Sequence, residues 1–517
     1  MTGSTPSGPS PRSSPPARSR RLGLVAIAVL IVLSGCTLPF GPSGPEQFDT
    51  DRDLGYVGEY AYDDILEIDD PAALSEAELE ALKYRSMARI EVVREQKFEH
   101  DVSVEVVSRD EFRERSGVIG SADPASPATN ELWRGAFVVD GDTDVNDALE
   151  ELYGDSVQGY YSADRIVIVT DDTDEIRIDR TTLVHELVHA LQDQQFGLER
   201  EGKTADEQRA ENALIEGEAN YVPHLYDQRC GSAWECLPDS GAPDDPDGPD
   251  EPVGQPSNIG LFLSIYAPYS EGPTFVESLH ERYGWEAVDE AYENRPVSTS
   301  QVIHPELYPD TEPVTVEVPD RSSSNWEPAT DDDGGPHVET VGEATLFASL
   351  WANGVIDRPI DEGVDDGQGA ESDGTAPLSP YNYSHPTTDG WAGDSFVAYQ
   401  DRDAEDDRLG HVWHLEWDSD TDAERFANAY VELLENHDAA ATDADESTAT
   451  DDGGQTYLID DGPFEGAYHA AVVDDRVEIV AAPTVGELAE VHDVGSVSNT
   501  SITPASERSP VAVGATG

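Results

Sequence analysis

Lysine is almost missing from this sequence: Lys83, Lys97 and Lys203 are the only three in 517 residues. Lys+Arg total 30 against 108 Asp+Glu, a net charge of −78 and a pI near 4.1. A chain so poor in cations has no basic face with which to grip phosphate backbones, so nucleic acid is excluded as a partner. Long apolar runs are missing too, and no period of 20 to 50 residues recurs, which excludes a solenoid or propeller. Disorder throughout is excluded by what is present: 37% hydrophobic residues, with 12 Phe, 8 Trp and 20 Tyr. The composition describes a folded protein with an acidic surface. Scarce lysine with abundant carboxylate matches adaptation to multimolar salt, where screening acts over a few ångströms, and so points to a halophilic host.

Residues 1–21 carry arginine but no acid and end in Ser19-Arg20-Arg21. The apolar run Leu22–Leu33 follows, then Leu33-Ser34-Gly35-Cys36. A charged stretch, a short apolar run and small residues in that order read as an export signal. The alternative, an anchor that stays attached, fits less well because the run is short for a bilayer. The arginine pair resembles a twin-arginine signal, and Leu-Ser-Gly-Cys resembles a lipobox. The resemblance implies a signal peptide over 1–35, lipidation of Cys36, a tether over 36–50 and a protein held on the outer face of the cell membrane. Cys230 and Cys236 remain. In an oxidising exterior a pair this close reads as a disulfide clasping a loop; zinc-knuckle cysteines usually sit nearer.

The periodicity predicts an α+β protein. Helical patterns run over Pro71–Phe98, Asn130–Phe137, Val145–Tyr153, Asp179–Phe196, Glu207–Gln228, Ile259–Tyr283, Trp285–Glu293 and Glu339–Asn353. Strand patterns cover Val102–Val106 and a pair, Val157–Tyr161 and Arg165–Thr170. An acidic Pro/Gly-rich stretch over 238–256 reads as a solvated loop. Its Asp244-Asp245-Pro246-Asp247 lacks the spaced ligands of a Ca²⁺ loop. Beyond Trp391, short strands surround one helix, Ala423–Glu435. The chain thus divides into a mainly helical part over 51–320, a helix plus small α+β module over 337–494, and a patternless tail from 495.

One motif carries chemistry: His185-Glu186-Leu187-Val188-His189. On a helix, residues four apart share a face. Two imidazoles so placed can bind one Zn²⁺, with Glu186 beside them to take a proton from an attacking water. Leu183, Leu187, Ala190 and Leu191 make the helix apolar, which argues against two solvent-facing histidines. A metzincin would need Gly at 192 and His at 195, where this chain has Gln192 and Gln195.

Downstream, Glu216-Gly217-Glu218-Ala219-Asn220-Tyr221 resembles the Glu-Gly-x-Ala-x-Tyr signature in the aminopeptidase branch of the gluzincin zinc peptidases. The resemblance covers Thr181–Tyr221. It implies a zincin-like core, with Glu216 as third ligand beside His185 and His189; Glu218 is the less favoured alternative. The spacing from His189 to Glu216 is longer than usual in that branch, and the Gly-x-Met-Glu-Asn segment that binds a substrate's amine is absent, so exopeptidase action is not implied. An intramembrane protease is disfavoured because no apolar span surrounds the motif. An oxyanion would need a Tyr or His; Tyr221, His224, Tyr226, His304 and His385 are candidates, and the sequence singles out none.

The wider texture resembles an uncharacterised family of haloarchaeal surface proteins. Its carrying segments are Met87–Glu91, His185–Phe196, Ser298–Glu306 and Gly390-Trp391-Ala392-Gly393-Asp394. The resulting expectation is a lipid-anchored zinc metallopeptidase acting on peptide or protein. The rival is a surface or envelope binding protein that keeps a structural zinc site.

Overall fold

A computed structural model describes residues 45–493, apart from 69, 72, 117–123, 154–156, 171–175, 177, 238–255, 331–333, 357–377, 379–380, 404–407 and 443–453. The expected signal peptide, Cys36, most of the tether, nearly all of the acidic loop and the tail lie outside the described residues.

A small ribbon, β1 (Tyr56–Val57) with β2 (Tyr60–Ala61), lies against α1 (Glu76–Arg94). Ser75 and Glu78 cap α1 reciprocally, satisfying amides that a first helical turn leaves unpaired. Next come β3 (Ser103–Ser108), α2 (Arg109–Ser116), α3 (Pro127–Gly135) and α4 (Val145–Tyr153). A hairpin follows, β4 (Gly159–Ser162) and β5 (Arg165–Thr170). Ala163 and Asp164 both hold positive φ at its tip, the geometry of a two-residue turn that matches strand twist. The sheet order is β3-β5-β4, with β3 parallel to β5 and β4 antiparallel at the edge.

Five helices then build the centre: α5 (Arg180–Phe196), α6 (Ala205–Asp227), α7 (Ile259–Tyr283), α8 (Trp285–Glu293) and α9 (Thr299–Ile303). Asp179 caps α5 through the Thr182 amide, and Thr204 with Glu207 boxes the start of α6. Helices α6 and α7 cross at Gly217 and Gly272. A Cβ on Gly217 would stand 2.4 Å from the Gly272 carbonyl carbon, so the two backbones approach as closely as glycine allows.

The last third holds β6 (Trp326–Pro328), β7 (Val338–Glu339), α10 (Gly342–Ala352), β8 (Trp391–Asp401), β9 (Leu409–Trp417), α11 (Asp420–Asn436), β10 (Ala440–Ala441), β11 (Gln455–Ile459), β12 (Gly466–Val473), β13 (Arg476–Ala482) and α12 (Leu488–Val491). Its antiparallel sheet runs β10-β11-β12-β13-β9-β8-β6, with β7 also on β8. Side chains alternate between its faces with the period of a strand. Phe396, Ala398, Trp413, Leu415, Ile479 and Ala481 enter the main core, while Val397, Tyr399, Val412 and Val480 pack on the other side with Leu488 and Val491. The helix expected from Glu339 starts later, at Gly342. Asp394 accepts the Val341 and Gly342 amides and both the Trp391 and Trp413 indole N–H groups. That carboxylate fixes the start of α10, and Val338–Glu339 pair with β8 instead.

The architecture is α+β, with a large antiparallel sheet. One apolar core lies among α1, α5, α6, α8 and the C-terminal half of α7. A second lies under the sheet and takes in α3, α4, Leu261, Leu263 and α10. Residues from both sides of the expected 320–337 division therefore share the second core. Glu131 of α3 pairs with the buried His411 of β9 across 2.7 Å. Among the described residues no helix is long and apolar enough to cross a membrane.

Candidate metal centre

Both histidines sit on the buried face of α5, which packs against β4 and α6. Their Nε2 atoms face each other at 3.0 Å, and the Glu216 Oε2 from α6 lies 3.4 Å from one and 3.5 Å from the other. Ligands about 2.1 Å from a tetrahedral ion stand about 3.4 Å apart. The spacing of these three atoms is that of a tetrahedral face.

The protonation pattern agrees. Gln192 Nε2 donates to the Ile215 carbonyl at 2.8 Å, which leaves its Oε1 to accept from His189 Nδ1 at 2.8 Å. With the proton held on Nδ1, His189 Nε2 presents a lone pair to the centre. Behind Gln192 lies a buried polar cluster. Tyr292 donates to Glu218 Oε2 at 2.5 Å, Arg94 pairs with Glu218 Oε1, and Arg94 also reaches Asp289 at 2.5 Å. Burial and the Glu218 charge push the Tyr292 phenol well above its usual range, so it stays a donor.

This cluster decides between the two glutamates of the motif. Glu218 faces Arg94, and Glu216 faces the histidines. Glu216 Oε2 has no hydrogen-bond partner, although its carboxylate is buried. Burial raises its pKa, but His189 and His185 outweigh that and pull it down to about 2. Its Oε1 accepts from the Tyr269 hydroxyl of α7 at 3.1 Å. Glu186 is equally buried and its Oε1 has no partner. Burial pushes its carboxyl up to about 8; His185 opposes this, Glu216 reinforces it, and a backbone hydrogen bond from Tyr161 of edge strand β4 opposes it. Two orphaned carboxylate oxygens beside two converging imidazoles form a donor set that fits a divalent cation better than a closed hydrogen-bond network.

The five residues weighed for the oxyanion have other partners. Tyr221 meets His280 Nδ1 at 3.0 Å, His224 meets Gln228, and the Tyr226 hydroxyl accepts from Arg89. His304 pairs with Glu343, and His385 Nδ1 accepts the Thr387 amide. The hydroxyl that does reach the centre is Tyr269, which sequence reasoning missed. Its signal, Tyr-Ser-Glu-Gly-Pro within an apolar helix, has no meaning until α7 is laid across α6. Cys230 and Cys236 are joined in a disulfide just beyond α6. Between them Trp234 packs edge-on to Tyr226, with the Arg89 guanidinium over its ring.

Residues 329–492 match the model of a domain of unknown function, DUF8575. The match covers the sheet apart from β6, with α10, α11 and α12, and leaves out His185, His189 and Glu216. No curated protein and no solved structure matches the chain.

Proposed function

We propose that this chain is a zinc-dependent peptidase of gluzincin-like type, held outside the cell by a lipid at Cys36. The observation that carries the reading is the convergence of His185, His189 and Glu216, with Glu186 and its unpartnered Oε1 beside them. These three residues would hold Zn²⁺, and Glu218 would stand behind them as support. The metal would supply Lewis acidity toward a peptide carbonyl and a nucleophilic water at neutral pH.

The chain's own groups have separable tasks. Glu186, beside the metal-type ligands, would receive a proton from the attacking water and return it to the departing amine. Gln192 and the Arg94–Glu218 pair hold the His189 ring in its tautomer. Tyr269 donates its O–H to Glu216 Oε1 and so would orient that ligand carboxylate. The outer edge of β4 is free of strand partners among the described residues, which suits an extended peptide added alongside it.

Glu186→Gln should keep the metal and lose peptide cleavage by at least ~10²-fold. Wild-type cleavage in that variant would end this mechanism. The second reading, a surface binding protein with a structural zinc site, is favoured by one observation. His189, Glu186 and Glu216 are each no more than 2% exposed, and structural zinc sites are closed. Zinc bound without chelator-sensitive cleavage of any peptide in high salt would decide for it.

A further inference from the structure

A second group of ligand-type side chains lies where the helical part meets the sheet domain. His304 ends α9, Glu343 lies in the first turn of α10, and Asp389 precedes β8. His304 Nε2 stands 3.0 Å from Glu343 Oε1 and 3.7 Å from Asp389 Oδ1. One ligand atom from each residue lies within 4.8 Å of both others. These spacings bracket the ~3.4 Å expected between tetrahedral ligands.

An ordinary His–Glu ion pair does not account for the arrangement. Glu343 is fully buried, and its Oε2 has no hydrogen-bond partner while its Oε1 faces His304. A buried polar atom left unpaired is a standing penalty of about 1–3 kcal/mol, and more for a charged group. Asp389 and the buried Glu271 of α7 add negative charge nearby, and His304 is the one cation paired with Glu343 among the described residues. Two buried carboxyls, Glu343 and Glu271, thus share a single histidine as their counter-group. A bound cation removes this deficit.

We infer that His304, Glu343 and Asp389 form a second divalent-cation site, distinct from the one at His185, His189 and Glu216, which ties α9, α10 and the start of β8 together. The ligand chemistry selects the ion class. Ca²⁺ takes six to eight oxygens and Mg²⁺ keeps most of its water. One imidazole with two carboxylates suits Zn²⁺ or Mn²⁺. Ser384, which donates to Asp389 at 3.2 Å, would orient that carboxylate. Two of the three ligands, Glu343 and Asp389, fall within the matched domain at 329–492. The third comes from the helical part, so the ion would lock one to the other.

The test counts ions. The full chain, stripped with chelator in high salt, is titrated with Zn²⁺ in millimolar Ca²⁺, which occupies exposed carboxylates. Bound zinc is measured by elemental analysis after desalting. Wild type should retain two equivalents, Glu343→Gln one, Glu216→Gln one and the double variant none. Should Glu343→Gln misfold, Asp389→Asn, at a more exposed position, takes its place and should lose the same equivalent. Two equivalents retained in a folded Glu343→Gln or Asp389→Asn chain would overturn the inference. So would one equivalent in wild type that disappears in Glu216→Gln. One equivalent that disappears in Glu343→Gln but survives Glu216→Gln would uphold this site and overturn the zinc centre of the preceding section.

Discussion

The four residues of the candidate centre and the buried polar pairs in and around the sheet domain are placed in opposite ways. His185, Glu186, His189 and Glu216 come from two consecutive helices, and their order in the chain already names a chemistry. In and around the sheet domain, buried polar groups meet across long stretches of chain. Glu131 meets His411, Asp394 gathers the amides at 341 and 342, Asp206 accepts from Thr299, and His304 meets Glu343. A local motif is legible through helical periodicity. A distributed one reports nothing until the strands are paired.

The sharpest break of this comparison is at Glu186. Glu186→Gln should reduce cleavage by ~10²-fold or more while bound zinc, counted per chain, stays unchanged. Next is Gln192, which connects the motif to its buried support. Gln192→Ala frees the His189 ring and should weaken zinc binding by ~10- to 100-fold, read by competition with a chromophoric chelator. An unchanged affinity would mean that α5 alone orients the ligand.

Two glycines test the contrast in packing. Gly217→Ala must push α7 away from α6 and should lower stability by ~1–3 kcal/mol. Gly486→Ala in the sheet domain meets nothing within 4 Å of the new Cβ and should stay within ~0.5 kcal/mol of wild type. Thermal unfolding of the two variants in the same salt checks both. Equal losses would remove the close helix crossing as the reason for Gly217.

The smallest effect concerns pH. Burial pushes Asp206 up to about 7, with Thr299 pulling the other way, and pushes Asp394 up to about 6 against its four donors. An acid whose folded pKa exceeds its unfolded value near 3.8 binds more protons when folded. Its stabilising effect is present at low pH and is lost as pH rises from about 4 to about 7. Asp206→Asn should remove much of that slope, so its Tm should match wild type near pH 4 and exceed it by a few degrees near pH 8. Parallel Tm curves over that range would show that Asp206 does not titrate there.

Much of the helical part was legible because its signals are local. The pattern over Ile259–Tyr283 matches α7 residue for residue, bounded by the Asn258 cap and by Gly284 at positive φ. Asp179 caps α5, and the strand pair before it turns at Ala163-Asp164. The start of α10 was not legible. Helical propensity continues back to Glu339, and only Asp394, brought over from β8, decides where the amides are capped. Tyr269 stayed hidden for the same reason, since it reaches Glu216 from a helix that crosses α6 only in the folded chain.

The sequence alone determined the acidic surface, the two helices of the candidate centre and the spacing that puts both imidazoles on one face. These follow from composition and from a period of 3.6, which need no knowledge of the rest of the chain. The tertiary structure decided which glutamate joins them. Glu216 and Glu218 are two residues apart and chemically identical, and the buried Arg94 claims one and leaves the other to the histidines. It also brought His304, Glu343 and Asp389 together. Such a meeting depends on strand order and helix crossing, which arise from packing of the whole core and leave no local trace.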